Sequence, residues 1–377
     1  MRFLHTADWH IGKKLHDYSL VEEQKDAFEQ IKQIAKEKAV DAVVVAGDLY
    51  DRSLPSETSV ALVNEMLQEL NLQAKLPLLV ISGNHDSATR LATGSDWFKQ
   101  TDFYLHTSLA EAFEPVEFAD TQFFLLPYFE MQAARNYFET ETLTNLNEAM
   151  KLIVAELEKK FDPAKKHVLV AHFFAVGSLK TDSETKLEIG GLDAVSPELF
   201  EKFDYVALGH LHDRNALKAE RVRYSGSLLK YSISEAKRPK GVWLIDTDPF
   251  TCEGLELTPL NDVKVLCDSY ENLTTEGYQK VGQHDYISIE LTDEQPILDV
   301  VGKLRQYFPQ LLDVRRKHKK NHAKKIIQVE QKTPLELFDD FFLQVTGKEP
   351  TKLQQKWARE SLLEITKAGE PNETTQD

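Results

Sequence analysis

Cysteine is nearly missing: Cys252 and Cys267 are the only two in 377 residues. Two isolated thiols without tight spacing argue against a disulfide-stapled scaffold or a thiolate metal site, and read as inert core residues in a reducing compartment. No stretch approaches the roughly 18 consecutive apolar residues that a membrane-spanning helix needs. The opening Met1-Arg2-Phe3-Leu4-His5 runs straight into a motif, with no signal-peptide h-region and no small-residue cleavage site, so the expected location is the cytoplasm. Positive charge is also short. Lys and Arg number 45 against 61 Asp and Glu, a net charge of −16, which argues against a protein that coats nucleic acid by bulk electrostatics. Any such affinity has to be focused by local basic residues or bound cations, or borrowed from a partner. Internal repeats and low-complexity tracts are lacking as well.

What remains is a chain with 42% hydrophobic and 28% charged residues, the balance of a globular protein with a sizeable core. Its length suggests two or three units. The first two-thirds alternate short apolar runs with amphipathic stretches. Strands are predicted at 2–7, 42–46, 78–82, 168–171, 205–208 and 242–246, each largely continuous in Val, Leu, Ile or Phe, as in strands covered on both faces. Ser19 with Glu22 reads as a capping box ahead of a helix carrying Phe28, Ile31, Ile34 and Ala35. Ser56 opens a second helix and residues 147–161 a third. The alternation implies a layered α/β domain.

After Pro259 the pattern changes. Strands are predicted at 263–267 and 286–291, a helix at 297–307, and two further strands at 311–314 and 326–329, a small α+β module. The basic stretch 315–325 between the last two reads as a solvated hairpin or as a phosphate-contacting loop. From Thr333 an apolar helix begins at Pro334, a second follows at 353–366, and the tail is polar.

The informative feature is what stands at the strand ends. The first strand leads into Asp8-Trp9-His10, the second into Gly47-Asp48, and the third into Gly83-Asn84-His85-Asp86. The fourth leads into His172 and the fifth into Gly209-His210-Leu211-His212. Ligands bind at the carboxyl ends of strands in layered α/β sheets. Any one of these pieces alone is a turn or a packing histidine; five in order, each after a buried strand, are a constellation. Carboxylate, imidazole and amide donors together suit two adjacent borderline dications such as Mn²⁺ or Fe²⁺ better than Mg²⁺. Two such ions can clamp a phosphate and activate a water. Asp48 is the natural bridge, with one oxygen for each ion.

In order and spacing these motifs resemble the metallophosphoesterase (calcineurin-like) superfamily. The resemblance implies one metal held by Asp8, His10, Asp48 and His212, and another by Asp48, Asn84, His172 and His210. It makes His85 a non-ligand that contacts the scissile phosphate and protonates the leaving alkoxide, with Asp86 as its orienting partner. Within the superfamily the chain resembles the SbcD nuclease family. His5-Thr6-Ala7-Asp8-Trp9-His10-Ile11-Gly12-Lys13, Asn84-His85-Asp86-Ser87 with Arg90-Leu91, and Tyr224-Ser225-Gly226-Ser227 with Lys230-Tyr231-Ser232 are similar to its motifs, as is Pro334-Leu335-Glu336-Leu337-Phe338.

That resemblance implies a DNA exonuclease and endonuclease with two divalent ions per chain, expected to be Mn²⁺. It also implies a homodimer that assembles into a heterotetramer with an SMC-like ATPase of the SbcC type. Substrate-side positions would be Asp51 (where archaeal and eukaryotic relatives carry a histidine), Arg90, Lys230 and Tyr231. The expected organisation is a layered calcineurin-like domain at 1–260, a small α+β capping domain at 261–332, C-terminal helices at 333–368 and a disordered tail at 369–377. Leu335, Leu337, Phe338, Phe341, Phe342 and Leu343 would anchor the partner, or pack on each other. His5, His16, His106, His167, His284, His318 and His322 fit no ligand slot and read as surface or packing residues.

Two other readings compete. Gly47-Asp48-Leu49-Tyr50-Asp51-Arg52 resembles a segment of the Ser/Thr phosphatases of the same superfamily, but Ser53 and Asp86 stand where that group has glycine and glutamate. A small-molecule phosphoesterase would not need the module after Pro259. A metal-free scaffold is the second alternative; it should show lost ligands, and every ligand position here is filled.

Overall fold

The computed structural model describes residues 1–179, 181–182, 194–317 and 333–368. They form two compact units divided at Arg316. The first is built on two facing sheets. One has the strand order Phe250–Leu257, Lys240–Thr247, Arg2–Thr6, Ala42–Ala46, Leu78–Ile81, Phe103–His106; the other runs Val222–Tyr224, Tyr205–Gly209, Lys166–His172, Thr121–Leu126, Val116–Phe118. The central strands of both are parallel, with antiparallel pairing at one flank of each.

Strand parity explains why these runs are apolar without interruption. Successive side chains point to opposite faces. Phe3, Val44, Ile81, Phe123, Val170 and Ala207 fill the core between the sheets. Their neighbours Leu4, Val43 and Val80 point outward beneath the helices Val21–Glu37 and Glu57–Gln68. Leu169, Val206 and Leu208 point outward on the other side, beneath helix Leu146–Glu158. Both faces of each central strand are therefore dry, in an α/β/β/α stack. Phe3 meets Phe123 edge-on at 5.3 Å and Tyr205 at 6.0 Å, an arrangement that adds electrostatic preference to burial.

Several expectations need correction. The capping box of Ser19 and Glu22 does not form. Leu20 is the N-cap without a side-chain bond, because Ser19 pairs with Lys14 in a short antiparallel hairpin. Ser56 does cap its helix, accepting from the Ser59 amide at 3.2 Å. Within the two large sheets, strands Phe103–His106, Val116–Phe118, Thr121–Leu126, Val222–Tyr224 and Phe250–Leu257 were not foreseen. None of them leads into a residue of the ligand constellation. His106, which ends the first of them, is a buried packing residue with Nδ1 3.3 Å from the Leu125 carbonyl. Thr121–Leu126 also follows an antiparallel partner rather than a helix, so the alternation that marks the others does not reach it.

After Pro259, strands Val263–Asp268, Tyr286–Leu291 and Leu311–Arg316 form a three-stranded parallel sheet with Tyr286–Leu291 in the centre. The helix before the last strand is only Val300–Leu304. This module has a small core of its own around Ile287, Ile289, Leu304 and Phe308. It also sends Val263 and Tyr286 into the core beneath helix Val21–Glu37. The seam is polar at its edge: Glu23 accepts from Tyr286 Oη and Asn261 Nδ2, both at 2.8 Å, and Lys230 donates to Asp262 at 2.7 Å. The strand expected at 326–329, His318, His322, most of the basic stretch and the tail 369–377 lie outside the described residues. Of the basic stretch, Arg315 and Arg316 are strand residues, Arg315 paired with Asp313.

The second unit contains helices Pro334–Thr346 and Lys352–Ala368. Thr333 and Glu336 form a reciprocal capping box at the start, and Gly347 in the left-handed region ends the first helix. Leu335, Leu337, Phe338 and Phe342 are half-buried, while Phe341 and Leu343 are exposed. No helix among the described residues is long and apolar enough to cross a membrane.

His5 links the two sheets, with Nδ1 2.9 Å from Tyr205 Oη and Nε2 3.2 Å from the Leu208 carbonyl. Burial pushes its pKa down from the ordinary 6.5 to about 3, only partly offset by that carbonyl. A depressed folded value means that the stability His5 contributes is complete above about pH 6.5 and is lost as pH falls toward 3, at up to about 1.4 kcal/mol per pH unit. Urea unfolding of metal-free protein between pH 7 and 4 should therefore show a shallower acid decline for His5→Gln than for wild type. Parallel declines would show that His5 is not held neutral.

Candidate metal centre

The strand ends turn sharply, and the turns are strained. Asp8, His10, Asp48 and His210 have positive φ values of 50°, 45°, 54° and 97°, a region that non-glycine residues avoid and that clusters at functional sites. Hydrogen bonds between the loops hold them there. The Asp8 amide donates to the Gly47 carbonyl at 3.0 Å, and the His10 amide to the Asp48 carbonyl at 2.9 Å. The His210 amide donates to Asp8 Oδ1, also at 2.9 Å. Glycine is required where loops touch. A Cβ on Gly83 would lie 2.2 Å from Asp48 Oδ1, and one on Gly209 would lie 1.9 Å from the Ala46 carbonyl oxygen.

All seven expected ligands come together. Donor atoms of Asp8, His10 and His212 lie within 4.8 Å of one another, as do those of Asp8, Asp48 and His172. Nε2 of His10 and Nε2 of His212 converge at 3.0 Å. On the other side Asn84 Oδ1 is 2.9 Å from His172 Nε2 and 3.0 Å from His210 Nδ1. Asp48 stands between the two sets. Its Oδ2 is 3.6 Å from His10 Nε2 and 3.4 Å from His172 Nε2. Its Oδ1 accepts from the His85 amide at 2.8 Å, so a single oxygen faces both sets, where the sequence suggested one oxygen for each.

Burial makes this cluster costly without cations. Asp8, His10, Asp48, His172 and His212 are almost fully buried. Burial pushes Asp8 up to about 7, against the pull of His172 and His212, and drives His10 well below its ordinary value. For Asp48 burial acts upward, but His172, His10 and His85 together hold its carboxyl well below the carboxylate range. Its partner His172 is raised to about 9, since Asp48 and Asp8 outweigh the burial that opposes its charge. His10 Nδ1 is buried without a hydrogen-bond partner. Convergent carboxylate, imidazole and amide donors in so dry a cluster fit a pair of borderline dications, which would displace the proton from His172.

His85, half-buried, packs its ring edge-on against His10 at 4.8 Å. Its Nδ1 lies 2.9 Å from the Asp51 carbonyl oxygen. The orienting contact expected from Asp86 thus comes from the Asp51 backbone. Asp86 turns the other way and accepts amides from Gly83, Tyr50 and Leu49 at 2.9, 3.0 and 3.2 Å, tying two ligand loops together. Burial, then the charge of Asp48, push Asp86 up to about 7.

The residues expected on the substrate side separate. The Asp51 carboxylate holds Lys13 Nζ at 2.7 Å, so an ammonium already serves the group formed by His10, Asp51 and His85. Arg90 is exposed on the short helix Ala88–Leu91. Lys230 is engaged at the seam with Asp262 and the Ala236 carbonyl. Tyr231 is buried behind the ligands, its ring 5.7 Å from His10 and 5.8 Å from His212. Sequence reading missed Gln24, whose buried amide donates to the His10 carbonyl at 2.8 Å and to Tyr231 Oη at 3.1 Å. It also missed Glu235 and Lys240, a buried pair behind His212. A polar residue on an otherwise apolar helix face was the available signal for Gln24; the other two carry no periodic mark.

The chain's likeness to known proteins agrees with this geometry. Residues 1–214 match the calcineurin-like phosphoesterase family, and residues 259–346 match the family described as type 5 capsule protein repressor C-terminal domain. The SbcD subunit of the nuclease SbcCD from Staphylococcus epidermidis is 32% identical over 94% of this chain and 96% of its own length. Its namesake from Staphylococcus saprophyticus is 30% identical over 98% of this chain and 100% of its own. The chain belongs to the SbcD family of calcineurin-like phosphoesterases. It is therefore a hydrolase, a metal-dependent phosphodiesterase. Among solved structures, a dimetal phosphatase from Danio rerio is 13% identical with a TM-score of 0.38, over 69% of this chain and 99% of that one, a likeness too slight to bear on the assignment.

The closeness of the loops is testable. Gly209→Ala should lower stability by about 1–3 kcal/mol or more through overpacking against Ala46, read as a drop in the denaturant midpoint. A variant that unfolds with wild type would mean the two sheets are not in contact there.

Proposed function

We propose that this chain is a Mn²⁺-dependent DNA nuclease, cutting duplex ends as an exonuclease and single strands or hairpins as an endonuclease. The observation that carries this reading is the position of Asp48 Oδ2 between two donor sets, with the half-exposed His85 beside them. Asp8, His10, Asp48 and His212 would hold one cation, and Asp48, Asn84, His172 and His210 the other. When bound, the cations supply charge neutralisation of the phosphate and an activated water nucleophile.

The chain's own residues supply the rest. His85 holds a proton for the departing sugar oxygen. The Asp51 carbonyl accepts from Nδ1–H and fixes the ring, and the proton for the leaving oxygen would come from Nε2–H of the imidazolium, the role of a general acid. Asp86 fixes the loop that carries Asn84 and His85. The half-exposed His85 and Asn84 are the parts of the site nearest to solvent. They give an incoming phosphate access to a cluster that is otherwise dry.

The proposed functional division keeps the expected boundaries: phosphoesterase 1–260, capping module 261–332 that selects DNA shape, and helices 333–368 that dock on the coiled coils of an SMC-like ATPase. The relatives' printed name, which makes them part of SbcCD, supports such a partner, and exposed Phe341 and Leu343 support an apolar contact. A homodimer in the cytoplasm completes the assembly. At a net charge of −16, DNA affinity depends on the cations and on the partner rather than on this chain's overall field.

The test is cleavage of end-labelled single-stranded and linear duplex DNA with Mn²⁺, beside His85→Ala. The variant should lose about 10²–10⁴-fold in rate, the usual worth of a general acid, while binding Mn²⁺ like wild type. Hydrolysis of a phosphopeptide with DNA left intact would replace this reading with a phosphatase.

A further inference from the structure

Behind His212, on the side away from His10, lies a pair of charged residues that the chemistry above does not use. Glu235 is fully buried and Lys240 is 7% exposed. Lys240 Nζ donates to Glu235 Oε2 at 2.5 Å, to Ser227 Oγ at 2.8 Å and to the His212 carbonyl at 2.7 Å, so all three ammonium protons are engaged. Ser227 also donates its amide to that carbonyl at 3.3 Å. The other carboxylate oxygen, Oε1, accepts from Ser232 Oγ at 2.9 Å and stands 3.9 Å from His212 Nδ1. That separation is an ion-pair distance rather than a hydrogen bond, so the carboxylate acts on the ring through its charge.

A buried ion pair is a poor source of stability, because removing two charges from water costs about as much as their attraction returns. Its position supplies another reason. An anion beside Nδ1 keeps the imidazole proton on that nitrogen and leaves the Nε2 lone pair free, and Nε2 is the atom that converges with His10. Lys240 meanwhile fixes the backbone from which the ring hangs. His172, one of the two imidazoles of the other donor set, has a different support: its Nδ1 lies 2.9 Å from the neutral carbonyl of Ala46.

We infer that Glu235 and Lys240 are positioning residues for His212, and that their support acts on the cation position of Asp8, His10, Asp48 and His212 and not on the other. The inference rests on the two-cation reading of the centre and deepens it by assigning Glu235 and Lys240 to one of the two positions.

The experiment is calorimetric titration of the full metal-free chain with Mn²⁺, with the manganese EPR signal followed in parallel. Wild type should take up two ions in two steps. Glu235→Gln should weaken one step by about 10–100-fold, the usual cost of losing a carboxylate behind a metal-bound histidine, and leave the other unchanged. Because Glu235→Gln leaves Lys240 buried without its counter-charge, the double variant Glu235→Gln/Lys240→Met is measured beside it. With both charges gone it should fold and melt near wild type, yet show the same selective loss. A folded double variant that binds both ions with wild-type affinities would overturn the inference, as would equal weakening of both steps, which marks general loosening. Failure of wild type to bind two ions would instead overturn the two-cation reading, and this inference with it.

Discussion

The contact between the two sheets at their carboxyl ends governs everything above it. Gly209 lies against the Ala46 carbonyl so closely that no side chain fits between them, and His172 donates across the same gap to that carbonyl. Asp8, Asp48 and Asn84 follow strands of one sheet; His172, His210 and His212 stand at the strand ends of the other. Neither sheet alone holds a complete donor set. The centre exists because Phe3, Phe123, Tyr205 and their neighbours pack the sheets face to face, and because glycines at the rim let the backbones close the last few ångströms. Dry core packing and metal chemistry are in this sense one construction, with the hydrophobic effect holding like-charged and desolvated groups where they would not gather by themselves.

The groups around the ligands divide the work. Asp86 ties the Gly47–Asp51 and Gly83–Asp86 loops through three backbone amides. Gln24 straps the loop of His10 to the first helix, and Tyr231 walls off both His10 and His212. Glu23, next to Gln24 on that helix, reaches in another direction, to Tyr286 and Asn261 of the module after Pro259. One helical turn therefore touches both the ligand loop and the module above it. This gives that module a short physical route to the metal centre.

The strand–helix alternation and the five ligand-bearing strand ends were plain in the amino-acid order. An uninterrupted apolar run requires cover on both faces, and Asp, Asn or His after five such runs in order form a pattern that no single turn or packing histidine accounts for. The expected helices at Ser56 and near residue 147 followed from local caps and periodicity, which are properties of neighbouring residues. The missed strands failed for the complementary reason. Thr121–Leu126 and Phe250–Leu257 are defined by the strands they pair with rather than by any helix beside them, and Ser19 was drawn from its cap into a hairpin by Lys14.

For the site the division is sharper. The types and order of residues determined that this chain would bring three carboxylate or amide donors and four histidines to one edge of an α/β stack. Only the tertiary structure decided that one oxygen of Asp48 faces both sets, that the Asp51 carbonyl rather than Asp86 meets the ring of His85, and that Tyr231 is buried behind the ligands while Lys230 is engaged at the seam. It alone placed Glu235 and Lys240 behind His212. Sequence spacing governs which residues share a turn or a face of one element. Which atom of a side chain meets which partner depends on the packing of elements hundreds of residues apart.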